Sequence, residues 1–153
     1  MNLFNNKLFY AVEAVVTIAY NSGVRAISGK EIACLQGLSA RYLEQIMQSL
    51  VRAGILRGMR GPNGGYVLAK ERRRITVSDI YEAISGDLEK DNQTSKERNE
   101  STELSELIIK PVFKEFDEVM LRYLEQINIE SLCEKASLKN IGKSTDEKID
   151  FII

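Results

Sequence analysis

Apolar residues recur at Leu8, Val12, Val15, Val16 and Ala19, a spacing that predicts a helix over 7–21 with one buried face. Asn21-Ser22-Gly23 stops it. Ser28-Gly29-Lys30-Glu31 has the form of a capping box and opens a short helix with Ile32, Ala33 and Leu35 available to pack. Gly37 offers the left-handed conformation that ends a helix. Ser39 caps another, over about 40–53, whose buried stripe is Leu43, Ile46, Met47 and Leu50 and whose stop is Gly54. Two short helices joined by a tight Gly-Leu-Ser turn have the spacing of a helix-turn-helix.

Ile55–Met59 and Tyr66–Ala69 read as short strands. Between them Arg60-Gly61-Pro62-Asn63-Gly64-Gly65 demands a turn, so a hairpin follows the helix-turn-helix directly, as in a winged helix. Thr76-Val77-Ser78-Asp79 is a capping box with Asp in place of Glu. It starts a helix with Ile80, Tyr81 and Ile84 inward, and Gly86 is expected to close it. Residues 87–103 contain a single apolar residue, Leu88, and read as a polar linker.

From Leu104 to about Ile127 helical periodicity returns, with a wide stripe that includes Leu107, Val112, Phe116, Val119 and Tyr123. Pro111 should kink this helix or mark its true start. A lone amphipathic helix beyond a linker has nothing of its own to pack on, so the stripe is expected to bury against a second subunit. Asn128 caps a last short helix through Leu132 and Cys133, and residues 138–153 form a loose tail. The expected fold is mostly α with a small β wing. Residues 1–86 form a winged helix-turn-helix, 87–103 a linker, and 104–137 a dimerisation helix with a short terminal helix.

Charge sharpens this division. Residues 1–86 hold 11 Lys+Arg against 6 Asp+Glu, a net of +5, and residues 87–153 hold 10 against 16, a net of −6. A basic half joined to an acidic half suits a polyanion-binding module attached to something else. No apolar run approaches the roughly 20 residues of a membrane span. The first residues lack the layout of a signal peptide, so the chain is expected to be cytoplasmic, with no membrane partner. Two distant cysteines and no histidine fit a reducing compartment and exclude Ser/His and Cys/His catalysis. With no paired carboxylates in a credible pocket, no enzyme is expected. The Gly-rich loop does not open a helix and is not followed by Lys-Ser/Thr, so it is not a P-loop.

In a helix-turn-helix the second helix enters the major groove N-terminus first. Its exposed face here carries Ser39, Arg41, Tyr42, Glu44, Gln45 and Gln48. Arg matches guanine and Gln matches adenine bidentately, Glu can accept from cytosine, and Ser and Tyr hydroxyls commonly take phosphate. On the wing loop, Arg60 can enter a minor groove. Arg60, Gly61, Asn63 and Gly64 complete the candidate DNA-binding set. Lys70, Arg72, Arg73 and Arg74 lie just beyond the second strand, as phosphate contacts or as a solvated charged face.

Ile32-Ala33, Tyr42-Leu43-Glu44-Gln45-Ile46, Leu50, Ala53-Gly54 and Arg60-Gly61-Pro62-Asn63-Gly64-Gly65-Tyr66-Val67-Leu68-Ala69, followed by Ile75–Ile80, together resemble the Rrf-two-type family of bacterial winged-helix transcription regulators. The likeness covers about 5–86 well and 104–136 more loosely. It implies a homodimer on a palindromic operator in double-stranded DNA, with contacts from Ser39, Tyr42, Glu44, Gln45 and Arg60. Cluster-binding members keep three closely spaced cysteines between the winged domain and the dimer helix, and residues 87–103 have none. The expectation is therefore a cluster-free regulator without a cofactor, acting as a repressor. Cys34 and Cys133 read as packing or idle thiols, with a redox switch as the alternative. A second reading is a module that keeps the fold but binds a protein effector, with Asp150-Phe151-Ile152-Ile153 as a docking peptide.

Overall fold

A computed structural model describes residues 6–22, 25–92 and 102–142. Helix α1 (Asn6–Tyr20) buries Leu8, Ala11, Ala14, Val15, Ile18 and Ala19, so the buried face is centred on the small residues and leaves Val12 and Val16 half-buried at its edge. Helices α2 (Gly29–Gln36) and α3 (Ala40–Arg52) form the helix-turn-helix. The Glu31 amide donates to Ser28 Oγ at 3.2 Å, and the Tyr42 amide donates to Ser39 Oγ at 3.2 Å. Both helices end in the paired bonds of a Schellman motif, with Gly37 at φ 66° and Gly54 at φ 74°. Leu35, expected to pack, is 53% exposed, because the short α2 turns only Ile32 and Ala33 into the core.

Strands β1 (Leu56–Met59) and β2 (Gly65–Leu68) pair antiparallel, with Leu56 opposite Leu68 and Met59 opposite Gly65. Ile27 adds a one-residue third strand by exchanging both main-chain hydrogen bonds with Tyr66, at 3.1 and 2.8 Å. After a 3-10 turn at Arg72–Arg74, helix α4 (Val77–Asn92) starts with a reciprocal cap: the Thr76 amide donates to Asp79 Oδ2, and the Asp79 amide to Thr76 Oγ1. Gly86 does not close α4. Its φ is not positive, and the roughly 1 kcal/mol that a helical glycine costs does not outweigh continuation of the helix to Asn92.

A π-turn at Ser105–Ile109 leads into helix α5 (Lys110–Glu125), which packs along α4. Pro111 sits in the first turn of α5, where the missing N–H does least harm, directly after the widened π-turn. Helix α6 (Ile129–Leu138) is capped by Asn128, whose Oδ1 accepts from the Ser131 amide at 2.8 Å. It runs five residues beyond Cys133 and packs against α1 and the 3-10 turn, so Ile129 and Cys133 lie in the same core as Ile18, Ile27, Leu43, Ile46, Ile75 and Ile80. The Val77 amide donates to the Ile127 carbonyl and the Ile129 amide to the Ile75 carbonyl, both at 2.9 Å. No described helix is long and apolar enough to cross a membrane.

Candidate nucleic-acid interface

The buried stripe of α3 (Leu43, Ile46, Met47, Leu50) fixes which residues face out. Arg41, Glu44, Gln45 and Gln48 are exposed along one side, with Ser39 exposed at the N-terminus. Gln48 Nε2 donates to Glu44 Oε1 at 3.3 Å, one turn apart. Tyr42 is half-buried, its ring edge-on to Tyr10 with centroids 6.4 Å apart, and Tyr10 stands edge-on to Phe9. This aromatic row fixes the first turn of α3 against α1.

The wing lies beside this helix. Gly65 is the closest point of approach between β2 and the strand at Ile27. A Cβ at Gly65 would fall 2.5 Å from both the carbonyl carbon and oxygen of Ile27, and φ there is 154°. Gly64 is equally crowded, 2.5 Å from the Met59 carbonyl oxygen, and its amide donates to Gly61 across the turn at 2.9 Å. The tip residues Arg60, Gly61, Pro62 and Asn63 are exposed, and Gly64 is half-buried. The Tyr66 phenol is pushed above its ordinary pKa by burial and by the Glu44 carboxylate, which disfavours its ionised form. Among the described residues no carboxylate pairs with Arg41 or Arg60. Unpaired guanidinium groups on a helix N-terminus and on a neighbouring loop tip are suited to phosphate oxygens and base edges.

The candidate residues Ser39, Arg41, Tyr42, Glu44, Gln45, Arg60, Gly61, Asn63 and Gly64 thus belong to one helix and the loop beside it. Sequence reasoning did not single out Tyr66 or Tyr10. Strand alternation puts Tyr66 on the face of the wing shared with Leu56, but only the fold brings its ring over Gly29 and towards Glu44. The Arg25 guanidinium, also not anticipated, donates to both carboxylate oxygens of Glu31, at 2.9 and 2.7 Å, and anchors the start of α2.

The remaining candidates lie on the π-turn and α5. Leu107, Val112, Phe116, Val119 and Tyr123, with Leu104, Ile108, Ile109 and Phe113, are each 44–66% exposed, so a single chain leaves these residues only partly covered.

The donor set for a metal is sparse. Cys34 is exposed on α2 and Cys133 is buried on α6. No three His, Cys, Asp or Glu side chains stand close enough to hold an ion among the described residues. Burial pushes the Cys133 thiol above its ordinary pKa, with Arg72 pulling it partly back. A thiol reagent at about pH 8, near a free thiol's pKa, should therefore label Cys34 promptly and Cys133 only after denaturation. Peptide mapping that found Cys133 labelled first would show that α6 detaches from the core.

Comparison with known proteins supplies the context. Residues 4–135 match the Rrf2 family model, described as an iron-dependent transcriptional regulator. The chain is similar to the HTH-type transcriptional regulator IscR of Xenorhabdus nematophila, 26% identical over 137 residues that span 90% of this chain and 82% of that protein. A 77-residue stretch is 43% identical to IscR of Cereibacter sphaeroides, covering 49% of this chain and half of that relative's length. Among solved structures, T. potens IscR superposes with a TM-score of 0.70 at 29% identity, over 94% of this chain and 95% of that one. CymR, the global cysteine regulator of B. subtilis, does so with 0.62 at 30% identity, over 88% and 98%.

Proposed function

Because the chain belongs to the Rrf2 family of DNA-binding transcription regulators, we propose that it is a cytoplasmic repressor that binds a palindromic operator as a homodimer and works without an iron–sulfur cluster. The observation that carries this reading is the exposure of both Arg41 on the recognition helix and Arg60 on the wing tip, neither paired with a carboxylate among the described residues. Two such heads related by a twofold axis present two recognition helices to successive major grooves. A dimer seated there excludes other proteins from the same DNA, and that alone represses.

Two apolar surfaces support the homodimer. One is the exposed stripe of the π-turn and α5. The other is an apolar groove of about 770 Å³ between α1 and α6, walled by Phe9, Val12, Val16, Leu35 and Leu132. In an isologous pair the stripe of each subunit has a surface of like chemistry to cover on the other. The cluster-free reading rests on ligand chemistry. Iron–sulfur clusters take four ligands, mostly thiolates, and two cysteines on separate helices, in a chain without histidine, do not make that set.

Selection of random duplex DNA by the metal-free protein tests the reading. Enrichment of a palindrome with half-sites about one helical turn apart is the expected result, with lower transcription in vitro from a promoter carrying it. Failure to enrich any sequence without metal would overturn the cluster-free reading and move the weight to a protein-binding module. Arg60→Ala should weaken operator binding by about 1–3 kcal/mol if the side chain reads the groove. An unchanged Kd at matched salt would remove Arg60 from the interface.

A further inference from the structure

The strand pairing that turns Tyr66 towards the recognition helix turns Arg57, Met59 and Val67 to the other face of the wing. There they wall a groove of about 760 Å³, closed on its other sides by α1, the 3-10 turn and α6. That volume lies in the range of small-molecule sites. The lining holds five cations, Arg25, Arg57, Lys70, Arg72 and Arg73, against the carboxylates of Glu71 and Glu130. The geometry points to a binding site for a small anion here, a molecule with a carboxylate or phosphate group and a short apolar body.

Three features argue for a built site and not for scattered surface charge. Arg72 and Arg25 are pre-positioned, each on two oxygens of a glutamate: Arg72 Nε and Nη2 donate to Glu130, and Arg25 to Glu31. Such forks hold a guanidinium plane fixed while leaving further N–H groups to donate. Arg57 and Lys70, by contrast, pair with no carboxylate among the described residues, so their donors are available to an incoming anion. The groove is also floored by apolar surface, Ile18 from α1 and Met59 and Val67 from the wing, which water covers poorly and an apolar body covers well. DNA phosphate is the less fitting occupant, because Arg57, Met59 and Val67 stand on the face of the wing opposite Tyr66.

The full-length protein should be titrated calorimetrically with inorganic phosphate and, separately, with succinate, each at constant ionic strength held with chloride. Saturable binding of at least one probe is expected, and the tighter of the two identifies the head group. Arg57→Ser/Lys70→Gln should weaken it at least ~10-fold, the equivalent of about one charged hydrogen bond. Lys114→Gln/Arg122→Gln, which removes the same charge outside the groove, should leave it unchanged. All four side chains are exposed, and matching thermal melts for the two double variants would confirm that both fold. Absence of saturable binding for both probes, or equal weakening by the two double variants, would overturn the site. So would loss of operator affinity in Arg57→Ser/Lys70→Gln with no anion binding in the parent protein, since the groove would then be a phosphate contact of the DNA.

Discussion

Gly65→Ala should destabilise the protein by about 2–4 kcal/mol, adding an overpacking cost to that of a backbone conformation side chains rarely adopt. The new methyl would arrive 2.5 Å from the Ile27 carbonyl, and the obstacle is main chain, which cannot rotate aside as a long side chain would. Relief requires β2 to move off Ile27, breaking the two hydrogen bonds that Tyr66 exchanges with it. Gly58→Ala is the control: it adds the same methyl to the same hairpin, into open space, and should change stability by no more than about 0.5 kcal/mol. Urea denaturation at unchanged slope separates the two. Equal midpoints would mean that the wing is not fixed by its contact with Ile27.

Phe116→Asp should dissociate the proposed dimer while leaving the protomer folded. The position is 47% exposed in a single chain, so a carboxylate there stays hydrated in the monomer. In a dimer buried against the stripe, the same carboxylate would lose its water without gaining a partner. A loss of at least ~2 kcal/mol, the scale of an interface hot spot, corresponds to a roughly 30-fold weaker association. Sedimentation equilibrium at micromolar protein measures it, and a far-UV spectrum checks the fold. A variant that still sediments as a dimer would show that the stripe is not the interface. If the dimer is lost, affinity for a palindrome should fall steeply, and affinity for an isolated half-site should not.

Most of the element starts were legible because caps are local chemistry. Ser28, Ser39, Thr76 with Asp79, and Asn128 each make the predicted bond within three residues along the chain. The exposed face of α3 was legible too, since four apolar residues at helical spacing determine where the polar ones point. Gly86 misled because a glycine stops a helix where it takes the left-handed conformation, and the letter alone does not tell whether it uses that freedom. Leu35 misled because it faces the apolar groove beside α1, which a single chain leaves open. What local pattern could not carry was the company each face keeps. Ile129 and Cys133 look like any short amphipathic helix until the fold sets them against α1. Arg57 reads as a surface strand residue until α6 closes a groove around it.

The two main-chain bonds between 75–77 and 127–129 make the protomer a closed circuit. The chain leaves the DNA-reading head along α4, returns along α5, and is fastened to its own point of departure before α6 enters the core. Covalent continuity between Asn92 and Thr102 is then not what joins α5 to the head. A protomer nicked in that interval should keep its two pieces together as a non-covalent pair, held by these bonds and by Ile129 and Cys133 in the shared core.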